Sequence, residues 1–88
     1  MLALLYMNQF KKDLKLVSKR GKKLSKLNDI IDTLLQEKPL PEKNRNHKLG
    51  GDYIDHWECH IEPDWLLIYL KSSKTLTLVR TGSHTDLF

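Results

Sequence analysis

The stretch ECHIEPDWLLIYL, residues 58–70, decides the fold. Before its Pro-Asp pair, side chains alternate: His56, Glu58, His60 and Glu62 point one way, and Trp57, Cys59 and Ile61 point the other. Period-two alternation marks a strand with one apolar and one polar face. Pro63 and Asp64 are turn residues by composition, and WLLIYLK then reads as a second strand. A two-residue bend puts Glu62 opposite Trp65, which predicts the pairs Ile61–Leu66, Cys59–Ile68 and Trp57–Leu70 on one apolar face. The other face then pairs His60 with Leu67, Glu58 with Tyr69 and His56 with Lys71.

Outward from the hairpin the pattern simplifies. Residues 72–74 (SSK) turn the chain into a last strand over 75–81 (TLTLVRT), whose Leu76 and Leu78 continue the apolar face; Gly82 ends it. Toward the N-terminus, residues 38–52 (KPLPEKNRNHKLGGD) have turn composition, and long ordered loops in small domains are often functional. Before that loop lie two amphipathic stretches. Phe10, Leu14 and Val17 share one face of a helix expected over about 9–20, capped by Asn8 and stopped by Gly21. Leu24, Leu27, Ile31, Leu34 and Leu35 share a face of a second helix over about 23–37, ended by Pro39 and Pro41. Residues 2–6 (LALLY) read as a first strand. The expected order is β-α-α-β-β-β. It is an α+β fold over residues 1–88 as one domain, with a small, largely antiparallel sheet covered on one face by a helical hairpin. His60 belongs to the opposite, open face.

Composition narrows the function. One cysteine among 88 residues excludes an internal disulfide and suits a reducing compartment. No run approaches a membrane span, the N-terminal apolar stretch lacks the pattern of a signal peptide, and a cytoplasmic protein is expected. Residues 1–48 hold twelve Lys/Arg against five Asp/Glu, whereas residues 49–88 hold three against six. Basic charge gathered in one half, densest at Lys19, Arg20, Lys22 and Lys23, points to a polyanionic or acidic partner.

Four histidines carry the chemistry: His47 in the long loop, His56 and His60 on the open face, and His84 after the last strand. A metal site is disfavoured, because alternation sends Cys59 away from His56 and His60 and the spacing matches no zinc pattern. The same burial removes Cys59 as a nucleophile. Ser83, His84 and Asp86 lack a nucleophile elbow. RNA cleavage without metal or cofactor fits the inventory. A base takes the ribose 2′-OH proton, an acid protonates the leaving oxygen, and a fixed cation stabilises the charged transition state. His60, His84 and Asp64 are candidates for the proton work and Arg80 for the cation. Trp65 and Phe88 offer rings for a splayed base. Arg80 shares parity with Leu76 and Leu78, so it must leave the apolar face through a twist or a bulge. A different reading needs only the basic hairpin: a non-catalytic nucleic-acid-binding or repressor-complex module.

Three segments together resemble the YafQ branch of the RelE-type toxins of bacterial toxin–antitoxin pairs: residues 47–51 (HKLGG), residues 60–69 (HIEPDWLLIY) and residues 80–88 (RTGSHTDLF). The resemblance implies a ribosome-dependent mRNA endonuclease that cuts message in the ribosomal A site by 2′-OH attack. It also implies a cognate antitoxin, with operator DNA reached only through the antitoxin complex. The family's functional positions fall on His47, His60, Asp64, Arg80, His84 and Phe88, with Trp65 beside them. Asn46 stands where the family commonly has Asp before the loop histidine.

Overall fold

The computed structural model describes residues 1–88. Strand β1 (Ala3–Tyr6) leads into helices α1 (Asn8–Lys19) and α2 (Leu24–Leu35). A loop containing one short 3₁₀ turn (Glu42–Asn44) reaches a two-residue strand, β2 (His47–Lys48). A second 3₁₀ turn (Gly51–Tyr53) precedes β3 (Trp57–Glu62), β4 (Trp65–Lys71) and β5 (Thr75–Gly82), and the chain closes with a single helical turn, α3 (His84–Leu87). The sheet order is β1-β5-β4-β3-β2. β1 runs parallel to β5 and every other pair is antiparallel. No helix is long and apolar enough to cross a membrane.

The helices form where their apolar stripes require. Phe10 and Val17 of α1 and Leu27, Ile30, Ile31 and Leu34 of α2 are buried against Cys59, Trp65, Leu67, Tyr69, Leu76 and Leu78 of the sheet. The expected Asn8 cap is corrected: Asn8 is the first helical residue, and Met7 precedes it without a side-chain cap bond. Gly21 does stop α1. At φ +81° it closes a Schellman turn, with Gly21 N–H donating to Ser18 O and Lys22 N–H to Val17 O. α2 ends the same way with Glu37, at φ +57°, in the glycine position.

The hairpin bend stands where the Pro-Asp pair predicts it, and Glu62 does pair with Trp65. The expected register beyond that pair is corrected by one residue. A bulge at Ile61 pairs His60 with Leu66, Cys59 with Leu67, Glu58 with Ile68 and Trp57 with Tyr69. Leu67 and Tyr69 therefore face the helices, while Leu66 and Ile68 join Val79 and Leu87 in a second small cluster on the other face. The physical reason is that β4 lies in the middle of the sheet. Leu66, Leu67 and Ile68 are all fully buried, so no polar alternation fixes which of them faces which way. A second shift, at Val79, separates the pairs Tyr69–Leu78 and Ile68–Arg80. This bulge carries Arg80 off the face of Leu76 and Leu78.

Candidate functional site

Two cross-strand rows build the site. The first runs His47–Glu58–Ile68–Arg80 and the second His60–Leu66–Gly82, with His84 opening α3 directly beyond. Sheet pairing thus brings residues from four segments onto the face away from α2. Rings of His47 and His60 lie 6.4 Å apart between centroids, and those of His60 and His84 5.7 Å apart.

Glu58 is the residue that sequence reasoning missed. Its carboxylate is buried, 3.4 Å from His60 Nε2 and 3.5 Å from His47 Nε2. Its parity with His60 was visible in the alternation. Its burial depended on β2, a strand too short to read from sequence. A buried carboxylate is costly without partners, so Glu58 and the two imidazoles form one unit. His47 Nδ1 lies 2.6 Å from Arg45 O, so the ring donates its Nδ1–H to that carbonyl and turns Nε2 toward Glu58. Asn46, at the position where the family commonly has Asp, accepts a 2.6 Å hydrogen bond from the Tyr69 hydroxyl. It ties the loop to β4 and brings no charge to the site.

Asp64, on the hairpin turn, accepts the His84 backbone N–H at 3.0 Å and lies 2.6 Å from His84 Nδ1. The backbone bond first, and the ring second, hold the Asp64 carboxyl below its ordinary range. Ionised Asp64 can only accept, so His84 donates its Nδ1–H and turns Nε2 away from Asp64. α3 presents this ring because its start is fixed by a capping box. Asp86 N–H donates to Ser83 Oγ, and Ser83 N–H donates to Asp86 Oδ2. Gly82 is required below it, since a Cβ there would lie 2.9 Å from Asp86 Oδ2.

Arg80 is held as a fork. Its Nε and Nη2 donate to Asp13 at 2.7 and 3.1 Å, and Thr81 N–H reaches the same carboxylate at 3.3 Å. Asp13, buried on α1, is the second residue that the sequence pattern did not single out. The hydrogen bond to Asp13 is the main cause that raises the Arg80 pKa further. The guanidinium is held along one edge by Asp13, and Tyr53 bears on it as well.

The remaining expectations divide. Phe88 is exposed and its ring stands edge-on to Tyr53, 5.7 Å between centroids, with His56 on the other side of Tyr53 at 5.5 Å. His56 is half-buried and sits just before β3, rather than exposed on the strand. Trp65 is corrected as a stacking residue. It is 1% exposed in the helix-side core and donates its indole N–H to Thr81 Oγ1 at 2.9 Å, leaving no face for a base. The bend that brings Asp64 to the site turns Trp65 inward. In the basic hairpin, Arg20 is paired with Asp86, and Lys22 with Glu62 at 2.9 Å. Only Lys19 and Lys23 of the four expected cations make no ion pair.

Residues 2–88 match the family model described as a bacterial toxin of a type II toxin–antitoxin system, YafQ. The chain belongs to the YafQ family. It is 40% identical to the mRNA interferase toxin YafQ of Escherichia coli K12 over 84 residues, covering 94% of this chain and 91% of that one. Among solved structures it resembles a metal-bound toxin from Helicobacter pylori, with 42% identity, a TM-score of 0.93 and all of both chains covered. It also matches the toxin of the E. coli DinJ–YafQ toxin–antitoxin complex, with 39% identity, a TM-score of 0.92, and 99% of this chain and 97% of that one covered. Family membership accounts for the fold and for the three motif segments, all of which converge on the histidine face.

Proposed function

We propose that the chain is an mRNA interferase: an endoribonuclease toxin that cuts message in the ribosomal A site by metal-independent 2′-OH attack. The observation that carries this reading is the meeting of His47, His60 and His84 with two carboxylates, Glu58 and Asp64, on the face that also presents Arg80. The YafQ relative of E. coli is named an mRNA interferase toxin.

In this reading the labour is divided among the three histidines. His84, with its Nδ1–H held by Asp64, offers Nε2 as the base that removes the 2′-OH proton. The 2′ oxygen bonds to phosphorus as the bond to the 5′ oxygen breaks, leaving a 2′,3′-cyclic phosphate. His60, beside Glu58, gives the departing 5′ oxygen its proton, and His47 is the second ring on that carboxylate. Asp64 acts by holding His84; its lowered pKa leaves no proton to donate near neutral pH. Arg80, fixed by Asp13, presents the N–H groups that Asp13 does not use to the phosphorane-like transition state. Phe88 supplies a ring for base stacking, and Lys19 and Lys23 add positive charge at the hairpin turn. The same family relation supports a cognate antitoxin as partner, as DinJ is for E. coli YafQ. Operator DNA would be met only through that complex, and the site of action is the cytoplasm, where ribosomes translate.

Induced expression tests the reading. The wild-type chain should arrest growth, and primer extension on ribosome-bound message should show new 5′ ends within codons. Arg80→Ala should do neither. Equal arrest by both forms would instead favour a basic binding module without catalysis.

A further inference from the structure

Beside His60 the surface opens into a groove of about 520 Å³, lined by Lys43, Asn44, Arg45 and Pro63 together with His60, Ile61 and Glu62 of β3. Its charges are unequal. Glu62, the one carboxylate of the lining, is held by Lys22 at 2.9 Å and Lys26 at 2.8 Å, and these bonds, the one from Lys26 above all, lower its pKa. Lys43 and Arg45 are exposed and make no ion pair. The net field of the groove is therefore cationic.

These two cations are positioned by the catalytic strands. Asn44, buried between them in sequence, donates from Nδ2 to His60 O at 2.7 Å. Arg45 adopts the left-handed conformation, φ 45° and ψ 50°, and its carbonyl accepts from the His47 ring. A non-glycine residue persists in that conformation only where its surroundings over-determine it. The loop is thus tied at Asn44 to His60 and at Arg45 to His47, with Lys43 one residue before.

We propose that this groove holds the phosphodiester backbone of the substrate RNA next to the cleaved bond, with Lys43 and Arg45 as its phosphate ligands. The proposal rests on the reading of the site as an RNA-cleaving one. It places the phosphate contacts nearest the cleaved bond in the groove, leaving only a more distant field to the hairpin turn, where Arg20 and Lys22 are already engaged by Asp86 and Glu62.

The test compares wild type, the double variant Lys43→Gln/Arg45→Gln, and a charge-matched control, Lys11→Gln/Lys15→Gln, from the exposed face of α1. Cleavage is measured on message-programmed ribosomes across a salt series, and affinity is measured on vacant ribosomes. For the groove variant KM should rise about tenfold or more, the size of one charge-assisted hydrogen bond. The log–log salt slope of KM should flatten by about 1.4, the figure for two contacts to a single strand. The control should retain wild-type KM, and all three proteins should bind vacant ribosomes alike. Unchanged KM in a groove variant that melts like wild type, equal losses in groove variant and control, or a matching loss on vacant ribosomes would each overturn the proposal; the last would assign the two cations to ribosomal RNA. A wild type that cuts no message removes the nuclease reading and the groove together, whereas a cutting wild type beside an unaffected groove variant removes the groove alone.

Discussion

The two faces of the sheet are built on opposite terms. Toward the helices, Cys59, Trp65, Leu67, Tyr69, Leu76 and Leu78 pack beneath Phe10, Val17, Leu27, Ile30, Ile31 and Leu34, all nearly inaccessible. On the other side only Leu66, Ile68, Val79 and Leu87 form a buried cluster, and the rest of the face is given to His47, Glu58, His60 and Arg80. Every buried side-chain polar atom nonetheless has a partner. One face contributes stability through area removed from water. The other forgoes that contribution to hold charged groups in fixed places. Substitutions should therefore separate cleanly: activity without stability on one face, stability without activity on the other.

The sharpest break is expected at His84. Its side chain is about half exposed and touches Asp64, itself exposed. His84→Ala should lower cleavage on programmed ribosomes by about 10²–10⁴, the usual range for a general acid–base group, while the denaturant midpoint stays close to wild type. Cleavage at the wild-type rate would remove His84 from the mechanism. A large stability loss would show that the site face bears more of the fold than its packing implies.

Trp65 is the converse. It is one chain position from Asp64, yet the turn delivers it to the other face. Trp65→Ala should cost about 3–5 kcal/mol in urea unfolding, as large-to-small changes at buried aromatics do. The fraction that stays folded at low temperature should keep near-wild-type cleavage. A variant that is stable but inactive would restore Trp65 as a stacking residue and contradict its burial.

Much of this division was legible in the sequence. Helical spacing in residues 10–17 and 24–35 located the hairpin, and alternation in residues 56–62 put His60 and Cys59 on different faces. What was illegible follows from strands that alternation cannot constrain. WLLIYL is apolar at every position because β4 is covered on both sides, so the Ile61 bulge and the one-residue register change left no trace in the pattern. Arg80 shows the same limit. Its parity pointed to the core, and only the bulge at Val79 turns it out. Glu58 is a charged residue in a polar position, whereas Asp13, three residues after Phe10 and four before Val17, falls on the buried stripe of α1; only long-range pairing sets them beside His60 and Arg80. In each case the missing information was tertiary register rather than residue chemistry.

Acid provides the finest separation, because carboxylates with shifted pKa values cluster at the site end of the sheet. Asp86 is held well below its ordinary range, first by the Arg20 guanidinium and then by the Ser83 N–H. Glu62 is lowered by Lys26 and Lys22, and Asp64 by the His84 backbone and ring. A folded-state pKa below the unfolded value, about 4 for these groups, means that each contribution is fully present above that value. It is lost as pH falls through the folded pKa. Melting temperature should therefore hold between about pH 7 and 5, as far as these groups are concerned, and decline below about pH 4. Asp86→Asn tests the assignment, since it removes the ion pair with Arg20 and the charged half of the capping box while keeping the side chain's size. Its melting temperature should lie below wild type at pH 7, and the gap between the two curves should narrow steadily as the pH falls below about 4. A constant offset between them across that window would mean that Asp86 contributes by shape and neutral hydrogen bonding. The charge link between the helical hairpin and the turn that carries His84 would then add nothing to the stability of the site face.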